Sequence, residues 1–591
     1  MQVKDNLTTE IKLKDSKATL WLVGFCLLFA IHFNIENTGG TGLELPYNSF
    51  VWIVVSLIFS ASLLHLAKQR LWFSDISLKI VGVIMITITI PVIFQEALEP
   101  SLAGTRILGI LAGLLLTILF FQSFQTTASW NTLLLILAGA GAIEAFICLI
   151  QQYLPEVAAY GVYKADYGRP FGSFQQPNVS ASFIATGLAS SLYLTLTAAK
   201  NTASSIHQRC LILTPLLAGI AIPLLGSRTG VVACLLVIIF ALPLMLINIK
   251  NSDSRKSVLT WLAAALVGLA ISSFTIQTMD SGGRNLESFQ STDNRQGIYK
   301  QAFDMIQEKP ITGWGYGDFE RTFLEYYATK YSTGEYSHTL IANLDHPHNE
   351  LLLWAIEGGV FPPLLLVILA LLLIYRAIKQ LGVTQGLAAL SISIPLAFHS
   401  ITEYPFYQSF AHWLAFSLII AWLIWKGSST SQEKQTSSFK LDFFAKCFAW
   451  IIPIFLIPIM MLNIQANYYV TQYHAGHKQD ISLLGQITHP SGMWKRFFFD
   501  VMTYRLARGL ETKNREDINS YISWAEEFVS HTPRLVIYLN LANAYWSISQ
   551  PKKAISVLET ATYLYPQRED VKASLEKTRT TFSELQSRSA E

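Results

Sequence analysis

The residues able to do chemistry in this chain fall in five short polar motifs, each set against long apolar runs. Arg228 stands in Gly226-Ser227-Arg228-Thr229-Gly230, a junction with almost no loop, so its guanidinium lies at a membrane surface or just inside it. Such an arginine can simply snorkel to the interface; alternatively it is a fixed cation for a phosphate or carboxylate. Arg295 is followed one turn later by Tyr299. Alone it reads as a solvated charge, but facing the same cavity as Arg228 it completes a clamp for a pyrophosphate. The third motif, Asp345-His346-Pro347-His348-Asn349-Glu350, immediately precedes an apolar run. A histidine such as His348 can serve as general base because its pKa is near neutral. The same His-x-His with Asp345 and Glu350 could instead ligate a metal, although no third histidine or HExxH pattern accompanies it. Asn349 and Glu350 can also cap the helix that follows.

The fourth motif is Arg169-Pro170-Phe171-Gly172-x2-Gln175-Gln176-Pro177-Asn178, which leads into a span and could serve only as a turn and cap. The fifth is His399-Ser400-x2-Glu403-Tyr404-Pro405-Phe406. It reads either as a helix end with a proline stop, or as a carboxylate that holds a catalytic histidine or an acceptor hydroxyl.

Positioning these motifs falls to membrane helices. Of 591 residues, 51% are hydrophobic and only 14% charged, against about 25% charged in soluble domains. The chain is therefore an integral membrane protein, and a net charge of +3 gives no nucleic-acid signal. About thirteen apolar runs have spanning length, at 18–36, 47–67, 75–94, 104–122, 131–153, 179–198, 208–226, 229–249, 257–275, 350–376, 384–401, 407–425 and 443–465. Lys12, Lys14 and Lys17 precede the first run as in a signal peptide, but no small-residue cleavage site follows, which predicts an uncleaved first helix. Lys68 with Arg70, Lys250 with Lys256, and Arg376 with Lys379 share one side, which the positive-inside rule makes cytoplasmic. The N-terminus then lies inside, while every polar motif and the C-terminus lie outside. All five cysteines fall inside apolar segments, leaving none for a disulfide in the soluble parts.

The expected fold is an all-α polytopic integral membrane protein with a large extramembrane loop and a C-terminal α-helical domain. Residues 1–275 form the first set of transmembrane helices, 276–349 the loop carrying active-site residues (Arg284 also lies in this stretch), 350–465 the second set, and 466–591 a helical-repeat domain. Within that domain Tyr538-x2-Leu541-Ala542-x2-Tyr545, Ala554-x3-Leu558-x2-Ala561 and Pro566 match tetratricopeptide spacing.

Taken in order and on one side, Arg228, Arg295 before Tyr299, Pro310-x2-Gly313-x-Gly315 and His348-Asn349 resemble the O-antigen ligase/polymerase superfamily. The 169–178 segment and His399-x3-Glu403-Tyr404-Pro405 resemble, more narrowly, the bacterial PglL-type O-linked oligosaccharyltransferases. The resemblance covers nearly the whole chain; Tyr299 stands where related ligases often carry tryptophan. It implies an inner-membrane enzyme with a periplasmic active site, moving a glycan from undecaprenyl diphosphate to a serine or threonine of a periplasmic protein such as pilin, without a metal or other cofactor. His348, Glu403 and His399 are then the expected catalytic set; Arg228, Arg295, Arg169, Gln176, Asn178, Tyr299, Asn349 and Tyr404 are the expected substrate-binding set. The same chemistry with another acceptor, in a ligase to lipid A core or a glycan polymerase, is the nearest alternative. A transporter or flippase would place charges at mid-membrane and show repeated halves; here the spans carry few, Glu144 and Glu357 being exceptions.

Overall fold

A computed structural model describes residues 15–94, 100–159, 168–197, 205–278, 293–428, 433–436, 438–475 and 480–590. Lys12, Lys14 and Arg284 lie outside the described residues. The helices, in chain order, are α1 (Lys17–Leu28), α2 (Pro46–Gln69), α3 (Ile76–Thr87), α4 (Pro91–Phe94), α5 (Pro100–Ser123), α6 (Thr127–Tyr153), α7 (Pro155–Ala158), α8 (Pro177–Thr197), α9 (Ser205–Leu224), α10 (Arg228–Lys250) and α11 (Ser252–Thr278). Next come α12 (Asp293–Glu308) and α13 (Phe319–Ser332), then α14 (Glu350–Gly358), α15 (Phe361–Leu390), α16 (Ile394–Ser400), α17 (Pro405–Gln408), α18 (Phe410–Lys426) and α19 (Phe439–Ala475). The remainder are α20 (Ile481–Leu484), α21 (Trp494–Thr512), α22 (Arg515–His531), α23 (Leu535–Ser547), α24 (Pro551–Leu564) and α25 (Glu569–Ala590).

Among the described residues, ten helices are long and apolar enough to cross a membrane, and two shorter apolar ones cover Lys17–His32 and Phe410–Lys426. Two of the expected spans are divided. The run 350–376 breaks at Gly358-Gly359 into α14 and α15, and 384–401 is split between the end of α15 and the separate helix α16. The second break falls at Ser391–Ser393, just before Pro395 in the first turn of α16; ahead of that run, Gly382 (φ 76°, ψ 161°) reverses α15 so that Gly386 lies against Ala377 and Ile378. Large side chains such as Leu266, Phe274, Trp450, Ile454 and Phe455 stand exposed on the outer helices, an apolar girdle that lipid covers.

At the centre stands α8, whose apolar window is wholly buried. It is also rich in hydroxyls: Ser180, Ser182, Thr186, Ser190, Ser191 and Thr195 are all buried. Most return their protons to carbonyls three or four residues back, as Thr186 does to Ser182 and Thr195 to Ser191, both at 2.8 Å, the usual way a helix satisfies such groups in an apolar setting. α6 crosses α8 where Gly141 meets Gly187, so closely that a Cβ on Gly187 would sit 2.9 Å from the Gly141 Cα. Small residues at such crossings let helices gain packing where lipid supplies no hydrophobic drive.

Opposite the polar motifs, β1 (Leu71–Ser74) and β2 (Glu433–Thr436) pair antiparallel, Leu71 facing Thr436. At that end Arg376 donates to Asp75 at 3.1 Å. Beyond the bundle's other end, α21 to α25 stack each on the next. They bury Ile518, Tyr521, Leu541, Tyr545 and Leu558 in one apolar cluster. This unit also seats on α13: Leu324 and Ala328 pack with Tyr538, Leu564 and Tyr565, and Arg534 donates to Glu320 at 2.8–3.0 Å.

Because the α6–α8 crossing has no room for a side chain, Gly187→Leu is expected to destabilise the protein by about 1–3 kcal/mol, the usual result of overpacking. A lower melting temperature of the purified protein in detergent, with reduced yield from membranes, is the expected readout; an unchanged melt would show that the crossing is slack.

Candidate active site

All five motifs meet at one end of the bundle, and the segment Ile401–Tyr404 is where they converge. It follows α16, and Glu403 N–H closes that helix by donating to His399 O at 2.8 Å. Ile401 O accepts from Asn349 Nδ2 at 2.9 Å, while Asn349 Oδ1 caps α14 by accepting from Leu352 N–H. Thr402 Oγ1 lies 3.4 Å from Thr229 Oγ1 in the first turn of α10, next to Arg228. The Tyr404 ring lies on the His346 ring, centroids 3.4 Å apart.

Glu403 itself is held on both oxygens. Oε1 accepts from Asn178 Nδ2 at 2.7 Å and Oε2 from Gln176 Nε2 at 2.9 Å. His399 Nε2 stands 3.5 Å from Oε2, and Arg295 Nη2 3.9 Å from Oε1. Burial pushes this carboxyl up, but the hydrogen bonds from His399 and Asn178 and the charges of His399 and His348 outweigh it and hold it down to about 2. Glu403 is thus a fixed anion rather than a proton acceptor near neutral pH.

Gln176 is placed by its own second bond, Oε1 accepting from Val179 N–H at 2.7 Å at the start of α8. The loop before it is held from below. Glu144 Oε1 accepts from Ser173 N–H and Ser180 Oγ, and Gln151 Oε1 from Phe171 and Gly172 N–H. His32 Nδ1 reaches Glu144 at 3.2 Å. Arg169 donates to the carbonyls of Leu225 at 3.0 Å and Gly226 at 3.4 Å, so it fastens this loop to the turn that launches Arg228. Arg228 opens α10 as its first residue, with Ser227 Oγ capping the helix on Gly230 N–H.

His348 arrives by a different device. Pro347 stiffens the chain before it, His348 takes a left-handed conformation (φ 53°), and Asn349 then caps α14. Histidine is one of the few non-glycine residues enriched in that conformation. Its ring meets His346 edge to face at 4.5 Å, and His346 Nδ1 is bonded to Asp345 at 2.6 Å. Burial first, then the charges of His346 and Arg295, lower the His348 imidazole to about 4 against the pull of Glu403 and Asp345. It is neutral near pH 7 and keeps a lone pair. Its Nδ1 is buried and has no hydrogen-bond partner among the described residues. Among those residues no group of three or more His, Cys, Asp or Glu side chains is arranged to hold a metal ion.

Of the expected residues, His399, Gln176, Asn178 and Arg295 all reach Glu403, with Asn349 and Tyr404 fixing the segment. Tyr299 instead packs against the apolar cluster of α12, α13 and α14. Three buried groups escaped sequence reasoning. Ser182 and His412 lie beneath His399 and read in the sequence as ordinary span residues. The third, Arg106, pairs with Glu357 and lies 5.2–6.0 Å from the rings of Tyr407, Trp354 and Tyr316. The Gly313–Gly317 run serves this pair: Gly317 N–H reaches Glu357 Oε1 at 3.2 Å, and at Gly313 (φ 64°) a side chain would strike the Glu357 backbone.

With this geometry in hand, comparison with known proteins is informative. Residues 170–194 match the protein glycosylation ligase family, 213–367 the O-antigen ligase family, and 387–580 the C-terminal family of virulence factor membrane-bound polymerases. The chain is 25% identical over 336 residues to the "General O-oligosaccharyltransferase" of Acinetobacter baylyi (strain ATCC 33305 / BD413 / ADP1), covering 55% of each protein. It thus spans about half the length of the curated relative it matches. The three family matches fall on the segments that carry Gln176, Asn178, Arg228, Arg295, His348 and Glu403, so in those segments the chain is similar to protein glycosylation ligases, O-antigen ligases and membrane-bound polymerases.

Proposed function

We propose that the protein is an O-oligosaccharyltransferase of the bacterial inner membrane, moving a glycan from undecaprenyl diphosphate to a serine or threonine hydroxyl of a periplasmic protein such as pilin. The observation that carries this reading is the cluster of a fixed anion, two arginines and a neutral histidine at one polar end of the bundle. The family matches support the same direction.

In this reading the acceptor hydroxyl oxygen attacks the anomeric carbon in a single inverting displacement. The bond from that carbon to the diphosphate oxygen breaks, and undecaprenyl diphosphate leaves. The proton lost by the hydroxyl goes to His348, whose lone pair is available at neutral pH. Charge develops on the diphosphate, and Arg228 and Arg295 are the fixed cations that stabilise it. Glu403, held by Gln176 and Asn178, orients the acceptor hydroxyl and steadies Arg295. Arg169 acts one step back, by fixing the turn before Arg228. The reaction as written needs no metal or other cofactor. The stacked helices of α21–α25 lie above this end and offer a protein acceptor a surface, which favours protein over lipid A core.

Acceptor glycosylation is read by mass shift in cells lacking this gene and complemented with wild type or variants, with membrane levels checked. Wild type is expected to shift the pilin, and His348→Ala at equal level to lose about 10²–10⁴-fold in rate, the usual contribution of a general base. Arg295→Ala is expected to cost about 10²–10³-fold, the scale of one lost electrostatic contact to a developing charge. Pilin left bare while lipopolysaccharide gains glycan would reassign the protein as a ligase.

The pH dependence has a definite sign. A base lowered to about 4 stays unprotonated far below the ordinary histidine value, so kcat/KM should hold level from neutral pH down to roughly 5 and fall only as pH drops through about 4. A limb centred at about 6.5, where an unperturbed histidine titrates, would remove His348 from the role of base.

A further inference from the structure

Beneath Glu403 runs a column that the displacement just described leaves unused: His399, Ser182 and His412, each with no exposed surface. Ser182 Oγ lies 2.7 Å from His399 Nδ1, 3.0 Å from Val179 O and 3.3 Å from His412 Nε2. The hydrogen atoms of this column can be assigned from partners alone. His412 Nε2 lies 2.9 Å from Val179 O, and a carbonyl only accepts, so Nε2 carries the proton. His412 Nδ1 is buried without a partner among the described residues; a second proton there would be an unpaired buried charge, which is costly. His412 is therefore a neutral ring whose Nε2–H goes first to Val179 O and is shared, at longer range, with Ser182 Oγ.

Two arrangements of the Ser182 hydroxyl follow. In one it donates to His399 Nδ1 while its oxygen accepts from His412; His399 is then neutral, with its proton on Nε2. In the other it donates to Val179 O and its oxygen accepts from a protonated His399 Nδ1. With Nδ1 protonated, a bare Nε2 would set its lone pair against the Glu403 carboxylate, so Nε2 keeps a proton and His399 is an imidazolium. Both arrangements aim an Nε2–H at Glu403.

We propose that Ser182 is a positioning residue: through His399 its hydroxyl keeps an N–H directed at Glu403, and so holds that carboxylate in place whichever charge His399 carries. The groups facing this unit are Glu403 after α16, Arg295 on α12, His348 before α14 and His412 on α18. Ser182 touches no reacting atom. Its effect on rate rests on the transferase reading above, whereas its effect on His399 does not.

The test uses full-length protein in lipid nanodiscs as wild type, Ser182→Ala and Ser182→Thr, with Ser182→Cys added should the bulkier or the smaller side chain reduce folding. Hydrogen exchange at the imidazole C2 position, followed by mass spectrometry across pH, reads each histidine without requiring activity. Expected is a shifted His399 exchange profile in the alanine variant, restored by threonine, while the His348 profile holds. In the transfer assay, alanine should lower kcat by between about 10- and 100-fold, the range for a misplaced reacting group, with KM little changed. The acid limb of its pH profile, which reports His348, should stay in place, and threonine should restore kcat. A His399 profile identical in wild type and Ser182→Ala overturns the proposal. If His399 shifts as expected but wild type transfers no glycan, the role of Ser182 stands and the transferase reading falls.

Discussion

The Glu403 carboxylate is the contact on which the rest of the site depends. Its two oxygens join the start of α8, through Gln176 and Asn178, to the end of α16, through His399. The neighbouring Ile401 and Thr402 extend the join to α14 and α10. Four elements far apart in the chain are thereby fixed by one short segment. A buried anion is tolerated only where donors replace its water, and here the donors are the very residues that must be positioned. Stability and site geometry are one requirement at this point.

A second constraint acts from below. The loop before α8 carries backbone N–H groups into the bundle, and these must find acceptors away from water. Glu144 and Gln151 of α6 provide them. Glu144 reads in the sequence as an isolated charge within a span; in the fold it is the post on which the Gln176 loop rests. Arg106 and Glu357 do comparable work under the glycine run, so the charges within or beside spans brace the architecture rather than line a path through it.

Much of this could be read from composition and order. The spans follow from runs of apolar residues long enough for lipid, and the shared sidedness of Arg228, Arg295, His348 and Glu403 follows from counting them. The break within 384–401 was hidden because hydropathy is indifferent to direction: the turn at Ser391–Ser393 interrupts the helix without ending the apolar character of the run. Ser182 and His412 were invisible for a related reason. One serine among many in α8, and one histidine in an apolar helix, acquire meaning only when a turn of α16 brings His399 against Ser182. Arg169 adds a structural role that its type does not announce. Its guanidinium donates to two backbone carbonyl oxygens, those of Leu225 and Gly226.

The hydroxyl-rich character of α8 bears on how the protein is made. Its apolar stretch is less hydropathic than that of α10, and it ends buried within the bundle. A nascent helix leaving the translocation channel has no neighbours to satisfy its side chains. Because Thr186, Ser190, Ser191 and Thr195 bond to carbonyls of their own helix, α8 enters lipid with most of that polarity already hidden. It can wait there for α9, α10 and α16, which are synthesised later, to enclose it. For the ribosome-bound chain, these hydroxyls are compatible with membrane insertion because they are already paired within their own helix.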